Sequence, residues 1–177
     1  MNENKELKFQ KLKICILTIS SSRELSDDKS GDVLEERVLG FGHELFERKI
    51  TKDNKDSIKD IIINWSKNKE IDVIITSGGT GLTETDVTPE ALEEIFEKTI
   101  PGFSVIFHNI SFNKIKTSTI QSRATAGILM ETFIFALPGS PSAVKDGWDK
   151  ILRYQLDSRH KPCNFVDILP RLKESIN

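Results

Sequence analysis

The chain has 177 residues, 37% of them hydrophobic and 29% charged, with a formal net charge of −2. That length suits one domain with a sizeable core, and no apolar run reaches the roughly 18 residues of a membrane span. The near-balanced charge argues against a broad nucleic-acid surface. Residues 1–13 are polar and charged, without an apolar secretion segment, so the expectation is a cytoplasmic protein with no nucleic-acid and no membrane partner. Cys15 and Cys163 stand apart, outside any CxxC or Cys/His cluster, which argues against a disulfide framework or a zinc site.

In chain order, residues 14–19 form a nearly continuous apolar run, as do residues 73–75 and 133–137. Strands buried on both faces read this way. Leu34, Val38 and Phe41 repeat at i, i+4, i+7 ahead of Gly42, predicting an amphipathic helix ended by glycine. A weaker strand over 44–50 follows, then a helix carrying Ile58, Ile61, Ile62 and Trp65 at i, i+3, i+4, i+7. Further helices are predicted around Leu92, Ile95 and Phe96, around Phe103, Ile106, Phe107 and Ile110, and around Val144, Trp148, Ile151 and Leu152. This alternation predicts an α/β fold, a three-layer α/β/α arrangement on a mostly parallel sheet with right-handed crossovers. A single domain over 13–170, after a flexible N-terminus at 1–12, is expected.

The richest segment is 76–90, TSGGTGLTETDVTPE, directly after the 73–75 strand. Gly78, Gly79 and Gly81 let backbone N–H groups approach an anion, while Thr80, Thr83 and Thr85 add hydroxyl donors. Asp86 supplies a hard oxygen where a magnesium-bound phosphate needs one. Thr88 reads as an N-cap with Pro89 at the first helical position. No lysine lies within the segment, which excludes a Walker A loop, and Glu84 occupies the third glycine position of a dinucleotide fingerprint. A tight connection explains the segment alone equally well.

Two other loops change that balance. The first strand ends in Ser20-Ser21-Ser22-Arg23 and the last in Pro138-Gly139-Ser140-Pro141-Ser142. Ser140 reads as an N-cap whose helix would point free N–H groups at the same crevice. Ligands of open α/β sheets sit at the C-terminal ends of the strands, so three small polar loops there predict one phosphate-binding pocket. Asp53, after the weaker strand, is either a helix-capping acid or part of the site. Residues 117–123 are rich in donors and carry Arg123, which suits a phosphate or a planar polar ring but also a solvated loop. His43, His108 and His160 match no triad or zinc spacing, and no catalytic role is assigned to them.

Taken in order, Ser77-Gly78-Gly79-Thr80-Gly81, Asp86-Val87-Thr88-Pro89-Glu90-Ala91, Pro101-Gly102-Phe103, Ser122-Arg123 and Pro138-Gly139-Ser140 resemble the MoaB/MogA family of molybdenum-cofactor biosynthesis proteins, related to the gephyrin G domain. The resemblance spans roughly residues 12–165, and Gln155-Leu156-Asp157-Ser158-Arg159 with Lys161-Pro162-Cys163-Asn164-Phe165 is similar to the MoaB branch. Ser22 departs from relatives, which often carry an acid or amide there. The resemblance implies a molybdopterin-binding fold and Mg2+-dependent adenylylation of molybdopterin by ATP, with pyrophosphate released. It implies Asp86 and Asp53 as catalytic, metal-linked carboxylates. Ser77, Gly78, Gly79, Thr80, Gly81, Ser118, Ser122, Arg123, Gly139 and Ser140 are implied as ligand-binding residues. It further implies a homotrimer or homohexamer, with Phe103, Phe107, Ile110 and Phe112 divided between core and interface, and contact with other proteins of the cofactor pathway. A noncatalytic pterin-binding or pathway-interaction protein of the same fold is the alternative.

Overall fold

The structure, a computed structural model, describes residues 2–3, 6–172 and 174. Its strands are β1 (Asn2–Glu3), β2 (Lys13–Ile19), β3 (Glu44–Thr51), β4 (Val73–Ser77), β5 (Lys98–Thr99), β6 (Thr125–Leu129), β7 (Thr132–Leu137) and β8 (His160–Lys161). Its helices are α1 (Lys29–Phe41), α2 (Lys55–Lys67), α3 (Thr88–Glu93), α4 (Pro101–Ile115), α5 (Pro141–Gly147), α6 (Arg153–Gln155) and α7 (Leu169–Leu172). A π-helical turn, Trp148–Leu152, joins α5 to α6, and 3-10 turns form at Leu25–Asp27 and Lys116–Gln121.

Six strands form the central sheet in the order β3-β2-β4-β7-β6-β5. The pairs β2/β3, β2/β4 and β4/β7 are parallel, whereas β6/β7 and β5/β6 are antiparallel. One face buries Ile14, Ile16, Val73, Ile75, Phe133 and Phe135 against Leu34, Val38, Phe103, Phe107, Val144 and Trp148 of the helices. The other buries Cys15, Leu17, Ile74 and Ile134 against Ile58, Ile62 and Trp65 of α2 and Ala91 and Leu92 of α3. Because both faces are covered, alternate side chains of each central strand enter different cores, and the unbroken apolar runs follow. Among the described residues no helix is long and apolar enough to cross a membrane.

Helix ends match their local chemistry. Gly42 ends α1 in the left-handed region at φ 103° and donates to Leu39 and Val38 carbonyls. The cap of α2 is Asn54, whose Oδ1 accepts the Ser57 N–H at 2.9 Å, so Asp53 is released from that duty. At α3 the structure corrects the sequence reading. Val87 is the N-cap and Thr88 the first helical residue; the Thr88 hydroxyl donates instead to the Gly78 carbonyl at 2.9 Å. Ile95 and Phe96 lie just beyond this helix, yet both still pack on the core beside α2.

The antiparallel edge formed by β5 and β6 has no counterpart in the sequence reading. Met130 and Glu131, at φ 46° and 74°, turn the β6–β7 hairpin, a positive-φ pair that sequence usually signals with Asn-Gly or Asp-Gly. A two-residue β5 is too short to show a period of two. At the N-terminal side, β1 pairs with β8, and the Phe9 ring packs within 5.8 Å of Phe41 and 5.1 Å of His43.

Candidate active site

The chain runs from β2 outward to β3 and then back across β2 to β4, so strand order reverses between β2 and β4. A crevice opens at the C-terminal ends of strands at such a switch point. Register places Thr18 beside Ser77 and Ser77 beside Leu137, so three strands end at one level. The Gly78 N–H donates to the Leu137 carbonyl at 3.0 Å, and the Ser20 N–H to the Thr51 carbonyl at 2.9 Å, which draws four loops together.

Between them lies a cavity of about 500 Å3. Ser20, Ser21, Ser22 and Arg23 line it from the β2 end and Asp53 from the β3 end. Gly78, Gly79, Thr80, Gly81, Thr85 and Asp86 line it from the β4 loop, and Pro138, Gly139 and Ser140 from the β7 end. Gln121 and Ser122 complete the rim. The two aspartates, distant in sequence, thus face one space.

The glycine loop is shaped by crowding as much as by any ligand. Gly78 sits at φ 107°, and a Cβ there would lie 2.2 Å from the Ile19 carbonyl oxygen. A Cβ on Gly81 would lie 2.6 Å from Asp86 Oδ2. Any side chain at either position would wedge the β2 and β4 ends apart or push the carboxylate aside.

Asp86 accepts from the Thr83 N–H at 2.9 Å and the Thr83 hydroxyl at 2.5 Å. Partial burial pushes this carboxyl up, but those two bonds, the Gly81 N–H and the nearby Arg123 charge outweigh it and hold it below its ordinary value. Asp86 is therefore ionised at neutral pH. The Thr83 hydroxyl, expected to face ligand, is committed to this carboxylate. Asp53 accepts the Ser21 hydroxyl at 2.7 Å, while its own N–H donates to Ser21 Oγ at 3.2 Å. That exchange ties the β2 and β3 loops together and orients Asp53 without using it as a cap. Ser140 is the N-cap of α5, as its sequence position predicts, its Oγ accepting the Ala143 N–H at 3.2 Å.

The remaining expected residues separate. Ser122 is on the rim, whereas Ser118 is exposed on the 3-10 turn outside the cavity lining, and Ser77 is fully buried beneath the loop. Arg123 also stands outside the lining. Its Nε donates to the Gly81 carbonyl at 2.7 Å, its Nη2 to the Asp86 carbonyl at 2.6 Å, and its Nη1 pairs with Glu90. It braces the glycine loop from behind. Gln121 belongs to the donor-rich segment 117–123 that the sequence marked as a whole, and the packing of the 3-10 turn is what brings it, with Ser122, to the rim.

A mostly parallel sheet with a glycine-rich loop and two carboxylates at its switch point defines an open α/β domain with a ligand crevice at its strand ends. The model of the probable molybdopterin binding domain matches residues 15–158, and the chain belongs to this MoaB/MogA family. It is 42% identical over 166 residues to molybdenum cofactor biosynthesis protein B of Escherichia coli K12, covering 94% of this chain and 96% of that protein. It is 37% identical to the probable molybdopterin adenylyltransferase of Methanocaldococcus jannaschii, over 78% of this chain and 86% of that one. A crystal structure of a molybdenum cofactor biosynthesis protein B superposes with a TM-score of 0.84 at 33% identity, covering 94% of this chain and 98% of the other.

Proposed function

We propose that this chain is a molybdopterin adenylyltransferase acting in molybdenum cofactor biosynthesis. The observation that carries the reading is the convergence of Asp53 and Asp86, from different strand ends, on one cavity with the 78–81 turn. The adenylyltransferase name of the Methanocaldococcus relative supports it. In the reaction, a terminal phosphate oxygen of the pterin attacks the α-phosphorus of ATP; the P–O bond to pyrophosphate breaks and pyrophosphate leaves with the electron pair. Neither substrate needs a covalent enzyme nucleophile, so the protein's task is to hold two mutually repelling phosphates in line. The Gly79 and Thr80 N–H groups of the turn supply fixed donors around that point, since the Gly78 and Gly81 N–H groups are spent on the Leu137 carbonyl and on Asp86.

Among the described residues no cluster of three or more His, Cys, Asp or Glu stands ready to hold a metal unaided. Two hard carboxylates in a phosphate site fit Mg2+, which binds through one or two carboxylates, substrate phosphates and waters. Asp86 and Asp53 would hold it, and it would neutralise phosphate charge. Asp53 in turn is kept in place by Ser21, and Asp86 by Thr83.

We further assign the assembly to a homotrimer or homohexamer in the cytoplasm, where contact with other proteins of the cofactor pathway follows from a shared intermediate. Phe103 and Phe107 are buried in the core and Ile110 is partly buried, but Val105, Ile106, Phe112 and Ile115 leave α4 with exposed apolar surface.

The deciding experiment incubates purified protein with molybdopterin and Mg-ATP and detects adenylylated pterin by mass, with Asp86→Asn alongside. Product from the native chain, lost at least about 100-fold in the variant, is the expected result. Pterin binding without product would overturn it in favour of a noncatalytic binding protein.

A further inference from the structure

Arg23 is the one cationic side chain among the described residues that line the 500 Å3 cavity, where Asp53 and Asp86 supply the other formal charges. With Mg2+ assigned to the two carboxylates, a protein cation directed at the remaining phosphate oxygens would add a charge-assisted pair. Of the two arginines near the site, Arg123 spends all three of its nitrogens on the Gly81 and Asp86 carbonyls and on Glu90. Arg23 does not. Its Nη1 alone is engaged, donating to the Gly139 carbonyl at 3.1 Å and to Ser30 Oγ at 3.4 Å. Ser30 is itself fixed, buried and donating to Asp28 Oδ1 at 3.0 Å.

Held through one nitrogen, the half-buried guanidinium keeps the Nε and Nη2 hydrogens on its opposite edge unpartnered among the described residues. That edge is the two-donor fork that matches two oxygens of a phosphate. The Gly139 contact also ties together the β2 and β7 loops, two walls of the cavity that Arg23 lines.

We propose that Arg23 is the phosphate-binding cation of this site, its Nε/Nη2 edge pairing with two non-bridging oxygens of one substrate phosphate. The proposal rests on the adenylyltransferase reading for the identity of that phosphate, which belongs either to ATP or to the phosphomonoester of the pterin.

Calorimetric titration of the full chain with Mg-ATP and, separately, with molybdopterin distinguishes the two sources. Arg23→Ala, Arg23→Gln and Arg23→Lys are compared with the native chain, each with its melting temperature. The expected result is that Ala and Gln weaken one of the two ligands about 10- to 100-fold, as loss of a charge-assisted pair should. Lys recovers only part of the affinity, because it keeps the charge and loses the fork. An equal loss in Gln and Ala at native melting temperatures, with partial recovery in Lys, excludes a merely structural loss. Millimolar guanidinium ion is expected to restore part of the Ala variant's binding. Affinities for both ligands within about twofold of native would overturn the assignment, as would a loss that tracks a fall in melting temperature. A native chain that binds either ligand but forms no product sinks the transferase reading and leaves this comparison decisive. A native chain that binds neither overturns both.

Discussion

Arg123 turns its guanidinium toward the chain that surrounds the site and away from the cavity. Three donors meet the Gly81 carbonyl, the Asp86 carbonyl and the Glu90 carboxylate, clamping the glycine loop at both ends of its carboxylate segment. Glu90 is held below its ordinary value because the Arg123 bond and charge outweigh its partial burial. Arg123→Ala is expected to destabilise the fold by about 2 kcal/mol, since it strands two carbonyls and a carboxylate. It should also cut adenylylation by an order of magnitude or more through misplacement of Asp86. Arg123→Lys should land between, keeping charge but meeting only part of the fork. Urea denaturation and the mass assay together check this; native turnover in a folded Arg123→Ala chain would refute the clamp. The sequence shows a cation beside a donor-rich segment, but nothing in it says which way the cation points.

At the scale of elements, the start of α1 is tied to two strands by Asp28. This fully buried carboxylate caps α1 through the Gly31 N–H at 3.0 Å, accepts the Thr18 hydroxyl of β2 at 2.7 Å and pairs with Arg48 of β3 at 2.9 Å. Burial pushes its carboxyl up, yet the bonds from Thr18, Gly31, Arg48 and Ser30 outweigh it and hold it below the usual carboxylate range. A carboxyl depressed in the folded state contributes stability that is present above its unfolded value, about 3.9, and is lost as pH falls through the folded value. Asp28→Ala is therefore expected to cost about 1–3 kcal/mol at neutral pH, because the Thr18 hydroxyl, the Gly31 N–H and one Arg48 nitrogen lose their acceptor while Asp32 and Glu35 still pair with Arg48, with the gap to the native chain narrowing below about pH 4. Denaturant melts at several pH values measure it. A pH-independent gap would show that packing alone is lost. The amphipathic stripes and the Gly42 stop made α1 and α2 legible in sequence; the β6–β7 hairpin was not, because Met130 and Glu131 occupy positive φ without the usual turn residues.

Taken as a whole, the molecule couples its N-terminal approach to acid stability through His43. Its ring is 3% exposed among Phe9, Phe41 and Trp148, and its Nδ1 accepts the Leu12 N–H at 3.2 Å, which fixes a neutral tautomer. Burial, only partly opposed by Asp157, pulls its pKa down to about 4. A group depressed below an unfolded value near 6.5 contributes stability that is complete above that value and is lost as pH falls toward about 4. Stability is expected to decline by up to about 1.4 kcal/mol per pH unit across that window. The slope should flatten in His43→Asn, which keeps an acceptor for Leu12. At the same scale, the exposed apolar residues of α4 predict self-association. Sedimentation should show a species larger than the monomer, and a Val105→Lys, Phe112→Lys pair should shift it toward monomer; a native monomer at tens of micromolar would refute the interface.

By itself, the sequence determined the α/β class, the parallel strands β2, β3, β4 and β7, the principal helices and the segments that carry the glycine turn, Asp86 and the Ser140 cap. These are properties of local periodicity and turn chemistry, set by neighbours a few residues away. Only the tertiary structure decided which of those segments meet. It lines up the ends of β2, β4 and β7, brings Asp53 to face the cavity that Asp86 lines, turns Arg123 behind the loop and places Arg23 on the cavity wall. Such outcomes depend on strand order and on hydrogen bonds between residues tens of positions apart, and no local pattern records them.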